Sequence, residues 1–341
     1  MTSFENYSLL GHNTFGVDVT CRRFVEYGDV DELREILAGL SQHPQSPFLA
    51  IGGGSNLLFT DHYEGTILHS AIRGRELVSE EQGVVRLRVG AGEVWDDLVD
   101  WCVAHGYYGL ENLSYIPGEA GAAAVQNIGA YGKEVGDYIE SVETLSVETG
   151  EVRVFQQKEC EYAYRYSIFK GPLRGKYIVT AVVLRLSTRF EPDLSYGALS
   201  RELSARGISP DSVNAQLLRK LIIEVRRSKL PEPAELGSAG SFFMNPVVEA
   251  QVAEELLQKY PEMPHYSMPT GVKIPAGWLI EQCGWKGKRV GRVGVYEKQA
   301  LVLVNFGGGT GKDISDLSRS IQEDVRRRFG IDIYPEVNFI G

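Results

Sequence analysis

Cysteine is scarce in this chain and so is any metal-binding pattern. The four thiols (Cys21, Cys102, Cys160 and Cys283) lie far apart and form no CxxC pair. Neither a zinc ribbon nor a disulfide framework is expected, and reduced, buried thiols of a cytoplasmic protein are. The six histidines do not fall at metal-ligand spacings with one another or with cysteine, which argues against a zinc or iron site. Long apolar runs are missing too. Ile178–Leu184 is strand-sized, well short of the roughly 18 residues that span a bilayer, so no membrane insertion is expected. The N-terminus, Met1-Thr2-Ser3-Phe4-Glu5, has neither the basic nor the apolar region of a signal peptide. Basic charge is also short: 35 Lys plus Arg stand against 45 acids, a formal net charge of -10. That field repels phosphate backbones and argues against nucleic acid as a partner. It leaves room for a small anion held by a few local cations and backbone amides.

What is present is ordinary globular material in quantity. The 341 residues are 43% hydrophobic and 23% charged, which fits two or three subdomains around sizeable cores. One stretch organises the reading. Gly52-Gly53-Gly54-Ser55-Asn56 lies between the apolar runs Phe48–Ile51 and Leu57–Phe59. Consecutive glycines lose much backbone entropy on folding. They suit a backbone that turns tightly and points several N–H groups at one anion. A ligand-free turn and a phosphate loop both remain open on this stretch alone.

Asp29 and Glu32 stand as cap and third residue of a capping box, followed by Leu33, Ile36, Leu37 and Leu40 at helical spacing. A helix near 30–41 is predicted, and with the strand Phe48–Ile51 it makes a β-α-β unit ending in the glycine loop. Val84–Val89 alternates like a half-buried strand. Val94, Trp95, Leu98, Val99, Cys102 and Val103 then mark a helical face that stops at Gly106. A second bare stretch runs from Ile116 to Gly132, through Pro117, Gly118, Glu119, Gly121 and three alanines. It suits tight packing, or a surface kept bare for a flat ligand. Ser141–Val147 and Val152–Phe155 read as a hairpin and Tyr177–Leu186 as a strand. These antiparallel elements favour an α+β fold over a regular βαβα repeat.

Ser209-Pro210-Asp211-Ser212 is read as opening a helix that carries Val213, Leu217, Leu218, Leu221, Ile222 and Val225 and ends in Arg226-Arg227-Ser228-Lys229. The proline-flanked connection places a domain boundary near 200–210. Asp313 is read as the cap of a last helix, with Ile314, Leu317, Ile321, Val325 and Phe329 at its core face and Gly330 as its stop.

Two nucleotide fingerprints fail. A G-x-G-x-x-G from Gly52 or Gly90 needs glycine where Leu57 and Trp95 stand. Gly307–Lys312 superficially resembles a P-loop but has Phe306 for its first glycine and Asp313 for the magnesium-binding hydroxyl. It reads as a loop feeding a helix. A serine-hydrolase G-x-S-x-G is absent around Ser241.

The glycine loop together with Ile116–Gly118 and Asn127–Gly132 resembles the flavin-binding domain of the vanillyl-alcohol-oxidase (p-cresol methylhydroxylase) type. Tyr164–Lys170, Ala239–Pro246 and Pro335-Glu336-Val337 narrow the resemblance to the UDP-N-acetylenolpyruvoylglucosamine reductase family, over about Asn13 to Gly341. The resemblance implies an FAD enzyme. NADPH reduces the flavin and leaves, and the enolpyruvyl ether of UDP-N-acetylglucosamine then enters the same pocket and takes the hydride at its terminal vinyl carbon. It implies FAD subdomains at 1–70 and 71–208, a substrate domain at 209–330, and a terminal strand within 331–341 returning to the second subdomain. It places FAD on Gly52, Gly53, Gly54, Ser55, Asn56, Pro117, Gly118, Gly121, Asn127, Gly129, Ala130 and Tyr131. It places substrate contacts on Tyr164, Tyr196, Lys229, Asn245, Tyr266 and Gln299. A cytoplasmic monomer is expected.

By the same resemblance, Arg165 is the arginine that binds and polarises the substrate carboxylate, Ser241 the general acid, and Glu336 the glutamate that stabilises the enol. This chemistry needs such groups, because hydride delivery leaves an aci-enolate dianion that must be held and then protonated. Glu119, a carboxylate beside a presumed pyrophosphate, is expected to point to solvent. Two alternatives stay open. One is an oxidase of the same flavin fold, although none of the histidines stands in either glycine stretch to tether FAD. The other is a non-enzymatic nucleotide-sugar binder.

Overall fold

The structure is a computed structural model and describes residues 1–42 and 45–341. The chain divides into two compact units. The first comprises 1–7, 21–53 and 64–226, and the second 8–20, 54–63 and 227–341, so the division falls inside the glycine loop.

The first unit holds two sheets. A four-stranded sheet runs in the order Thr2–Ser8, Thr20–Tyr27, Tyr63–Ser70, Phe48–Ile51, its last two strands parallel. The predicted helix is present as Val30–Ser41 and lays Leu33, Ile36 and Leu37 against Val25, Tyr27 and Leu68. Asp29 caps it by accepting from the Glu32 N–H at 2.8 Å, while Glu32 reaches back to the Gly28 N–H. The strands on either side of this helix are not neighbours, because Tyr63–Ser70 lies between them.

The second sheet has five antiparallel strands in the order Val152–Gln156, Ile139–Ser146, Tyr177–Ser187, Val84–Gly90, Arg75–Glu81. Val85, Leu87 and Val89 point into the core, as the alternation predicts. Between them Arg86 pairs with Glu140, and Arg88 grips Glu143 through two nitrogens at 2.8 and 2.7 Å. The helix Trp95–Ala104 covers this sheet with Trp95, Leu98, Val99 and Cys102. It stops where Gly106 takes the left-handed backbone expected of it.

Two helix boundaries differ from expectation. Pro210–Ser212 is a single 3-10 turn and the helix proper is Ala215–Lys229. Its first turn is held by Asn214, whose side chain accepts from the Leu217 N–H at 2.8 Å. Ser209-Pro210-Asp211 has cap chemistry, but the chain turns once and restarts. The last helix, Gly311–Phe329, is capped by Thr310, not Asp313; Asp313 is the reciprocal third residue of that box. Both can accept a hydrogen bond, and the hydroxyl takes the cap position.

The second unit gathers short elements. Val247–Val248, Gly271–Lys273 and Tyr266–Met268 form one small sheet, and Arg289–Val290, Val293–Val295 and Leu303–Asn305 another. The terminal strand Asn338–Ile340 pairs in parallel with Leu57–Phe59, just after the glycine loop, and not with a strand of 71–208. The long last helix packs Ile314, Leu317, Ile321 and Val325 inward. The architecture is α+β. No helix among the described residues is long and apolar enough to cross a membrane.

Candidate active site

In the first unit the two bare stretches meet. The strand Phe48–Ile51 delivers Gly52 and Gly53 against Gly118 and the helix Ala120–Gln126. A methyl on Gly52 would lie 2.9 Å from the Ala122 Cβ, and one on Gly53 would lie 3.5 Å from the Gly118 Cα. The contact makes one continuous surface of small residues. In the second unit Gly54 has a different reason to be glycine. Its φ is +66° and a Cβ there would fall 1.9 Å from the His12 carbonyl oxygen. Packing thus demands glycine at both ends of the triplet.

Glu119 departs from expectation. It does not point to solvent: it is 7% exposed, and its Oε1 lies 2.9 Å from His69 Nε2. The other ring nitrogen of His69 lies 2.9 Å from Glu26 Oε2. A partner fifty residues away in sequence, on the strand Tyr63–Ser70, pulled the carboxylate inward.

The small helix ends at Asn127, buried and left-handed with φ 47°. Its amide donates to Glu134 Oε2 and to the Ala163 carbonyl, both at 2.8 Å, and accepts from the Gly136 N–H at 2.9 Å. Gly129 and Ala130 pair with Glu134 and Lys133 in a short hairpin. Its two turn residues, Tyr131 and Gly132, both have positive φ, 49° and 85°, which is the tight turn that matches strand twist. The Tyr131 ring meets Tyr196 edge-on at 5.5 Å, and burial pushes the Tyr131 hydroxyl above its usual value.

Arg165 belongs to this cluster. Ala163 and Tyr166 exchange two backbone hydrogen bonds across the turn that carries Tyr164 and Arg165. Arg165 takes φ 56°, in the turn position that favours glycine. A bulky residue held in that conformation costs free energy that the fold must sustain. Its Nη2 donates to the Gly129 carbonyl at 2.8 Å, its Nη1 stands 3.7 Å from Glu134, and Lys170 Nζ holds its backbone oxygen at 2.8 Å. The buried Ser167 ties the same loop to Val125, donating to its carbonyl at 2.6 Å.

Sequence reasoning passed over several members of this network. Arg226 was read only as one of a basic cluster, yet its neighbours Arg227 and Lys229 are exposed while it is half-buried. It donates to the Tyr115 carbonyl at 3.0 Å. Burial pushes its guanidinium below the usual value, against the opposing pull of Tyr131, Asp96 and Tyr115. Arg219, two turns earlier, grips Asp96 through two nitrogens at 2.6 and 3.0 Å. The signal was available in the helical spacing: Arg219 and Arg226 are seven apart on one face.

The second unit assembles the rest around buried aromatics. Phe242 and Phe243 are fully buried and fix the backbone on both sides. The Phe242 N–H donates to the Leu301 carbonyl at 2.7 Å, and its carbonyl accepts from the Glu336 N–H at 2.8 Å. Ser241, exposed after the left-handed Gly240, and half-buried Glu336 therefore sit on adjacent backbone segments. Asn56 joins them, its amide donating to the Glu336 carbonyl at 3.2 Å and its own carbonyl accepting from the Asn338 N–H at 3.0 Å. Gln299 accepts from the Leu301 N–H, on the segment beside Phe242. Asn245 accepts from the Ala276 N–H at 2.9 Å and fixes the start of the helix Ala276–Gln282. Tyr266 is exposed on the Tyr266–Met268 strand, with Lys273 Nζ 5.4 Å from its ring. Lys229 is exposed at the end of its helix, and Tyr164 and Tyr196 each keep nearly half their surface.

Comparison with known proteins follows these two clusters. Residues 21–156 match a family model described as an FAD binding domain. Residues 232–340 match one described as the UDP-N-acetylenolpyruvoylglucosamine reductase C-terminal domain. The chain is similar to the UDP-N-acetylenolpyruvoylglucosamine reductase of Bacteroides fragilis, 55% identical over 337 residues that cover 98% of this chain and 99% of that protein. The reductase of Porphyromonas gingivalis is 47% identical over 340 residues, 98% of each chain. In fold, the chain is similar to the crystal structure of the UDP-N-acetylenolpyruvylglucosamine reductase of Thermus caldophilus. That match has a TM-score of 0.68 and 24% identity, covering 100% of this chain and 98% of that one.

Proposed function

The chain belongs to the UDP-N-acetylenolpyruvoylglucosamine reductase family, and from that membership we propose how its residues carry the family's reaction. It is an FAD-containing oxidoreductase with NADPH as reductant, reducing UDP-N-acetylglucosamine enolpyruvate in peptidoglycan precursor synthesis. The residues fit FAD: the paired small-residue stretches pack so closely that Gly52 has no room for a Cβ, and their small side chains let a flat ligand approach the backbone. Gly52 through Asn56, with Pro117, Gly118, Gly121, Asn127, Gly129, Ala130 and Tyr131, would hold it. Bound FAD supplies the hydride that NADPH first gives it.

Arg165 binds the substrate carboxylate. Its planar fork suits a carboxylate in a way that lysine does not, and the charge it holds there grows as the aci-enolate forms. Ser241 gives its hydroxyl proton to the carbon that bears the carboxylate, and Glu336 stabilises the enol. The adjacent backbone segments of Ser241 and Glu336 support their acting together. Tyr164, Tyr196, Lys229, Asn245, Tyr266 and Gln299 contact the sugar nucleotide. FAD is assigned to 1–70 and 71–208 and the sugar nucleotide to 209–330, a division that the matches over 21–156 and 232–340 support. NADPH and the sugar nucleotide take turns in one pocket of a cytoplasmic monomer.

The observation that carries the reading is the left-handed backbone of Arg165, held on Gly129 beside the bare surface. The test is NADPH consumption by the flavin-loaded protein. UDP-N-acetylglucosamine enolpyruvate should support turnover and UDP-N-acetylglucosamine should not. Equal rates with both, or a protein that takes no flavin, would overturn it.

A further inference from the structure

We propose that His69, held between Glu26 and Glu119, is the counter-charge that lets the glycine loop accept the diphosphate of FAD. The inference rests on the FAD reading above and adds a positioning residue to it. Glu119 lies directly against the loop: its Oε2 stands 3.2 Å from where a Gly52 Cβ would be. That oxygen is buried and takes no hydrogen bond from the described residues. A carboxylate is thus enclosed beside a loop meant for a dianion, and its negative charge would by itself oppose binding.

His69 answers it. Both of its ring nitrogens lie 2.9 Å from carboxylate oxygens. An ionised carboxylate only accepts, so satisfying both requires both nitrogens to donate, as they do in the imidazolium. The side chains of His69 and Glu119 are 9% and 8% exposed, so water screens their charges little. With His69 charged, the group Glu26, His69, Glu119 carries one net negative charge; with His69 neutral it carries two. Among the described residues, the charged groups that act on the ring are Glu119 and Glu26, and Tyr27 is the next residue after Glu26 on its strand. Burial pushes the Tyr27 hydroxyl well up, so it stays protonated. The Phe24 ring, 5.9 Å away, closes the pocket without adding charge.

The test is a charge cycle on cofactor affinity, read by fluorescence quenching as FAD is titrated into flavin-free protein. His69→Gln should weaken FAD binding on the order of tenfold, the scale of one unit charge at short range in a partly screened site. Glu119→Gln should bind at least as tightly as wild type, and adding Glu119→Gln to His69→Gln should restore about what His69→Gln lost, because Glu26 alone leaves the same one net negative charge as wild type. Wild-type affinity should also fall as pH rises through the His69 titration, a fall absent from His69→Gln. A double variant that binds no tighter than His69→Gln alone, or a flat pH profile in wild type, would overturn the proposal while leaving FAD binding intact. A wild-type chain that takes no FAD would overturn the underlying reading as well.

Discussion

Gly52→Ala puts the meeting of the two bare stretches to a quantitative test. The added methyl would lie 2.9 Å from the Ala122 Cβ and 3.2 Å from Glu119 Oε2. Carbon atoms sit best at about 3.5–4.0 Å, so one backbone has to yield by more than about half an ångström. Overpacking of this kind costs about 1–3 kcal/mol. Alanine's smaller unfolded-state entropy offsets roughly 0.4–1 kcal/mol of that. A net loss of about 1–2 kcal/mol is expected. Gly52 is not in a left-handed conformation, so the contact alone accounts for the effect. Ala122→Gly removes the methyl in the way and by itself costs about 1 kcal/mol of helix propensity. The double variant should then be more stable than the sum of the two single effects by about 1 kcal/mol or more. Urea unfolding of the four proteins gives the cycle, and FAD titration of the same four shows whether the loop's cofactor affinity follows. A Gly52→Ala protein as stable as wild type, or two strictly additive changes, would refute the contact.

Arg165→Lys should keep the charge but lose the fork. A charge-assisted hydrogen bond is worth about 1.5–3 kcal/mol, so oxidation of reduced enzyme by substrate should slow by about ten- to a hundredfold. Stopped-flow half-reactions would show it, and unchanged turnover would remove Arg165 from the mechanism. Asn127→Ala strips the amide that accepts from Gly136 and leaves a left-handed alanine. Denaturant unfolding should register a loss of about 2–4 kcal/mol. His69 gives a pH dependence whose sign follows from its surroundings. Burial pulls its value down, but the hydrogen bonds and charges of Glu119 and Glu26 outweigh that and raise it. The folded state therefore holds a proton that the unfolded chain releases. The stabilisation is complete below the unfolded value of about 6.5 and is lost as pH rises through the folded one. The stability gap between wild type and His69→Gln should narrow with rising pH, and a gap that widens would contradict the pairing.

What the sequence made legible was whatever one element could state alone. The helices Val30–Ser41, Trp95–Ala104 and Gly311–Phe329 announce themselves by apolar spacing, because each buries one face. Thr2–Ser8 does not, since six of its seven residues are exposed and no alternation remains to be read. Arg75–Glu81 escapes for the same reason, as an edge strand with five of seven residues exposed. In the site, the bare stretches were visible as composition, and their contact gives that composition a packing reason. The Asn127, Glu134 and Ala163 network and the His69 clasp on Glu119 were not visible, because they join residues far apart in sequence. Glu119 was misread because a carboxylate in an alanine-rich run has no local partner. The fold supplied one from another strand.

The central claim is that Ser241 donates the proton and takes no part in accepting electrons from NADPH. Half-reactions of Ser241→Ala separate the two most directly. The account predicts that NADPH reduces the bound flavin at close to the wild-type rate, while reoxidation by UDP-N-acetylglucosamine enolpyruvate slows by orders of magnitude. Equal loss in both half-reactions, or reoxidation at the wild-type rate, would contradict it.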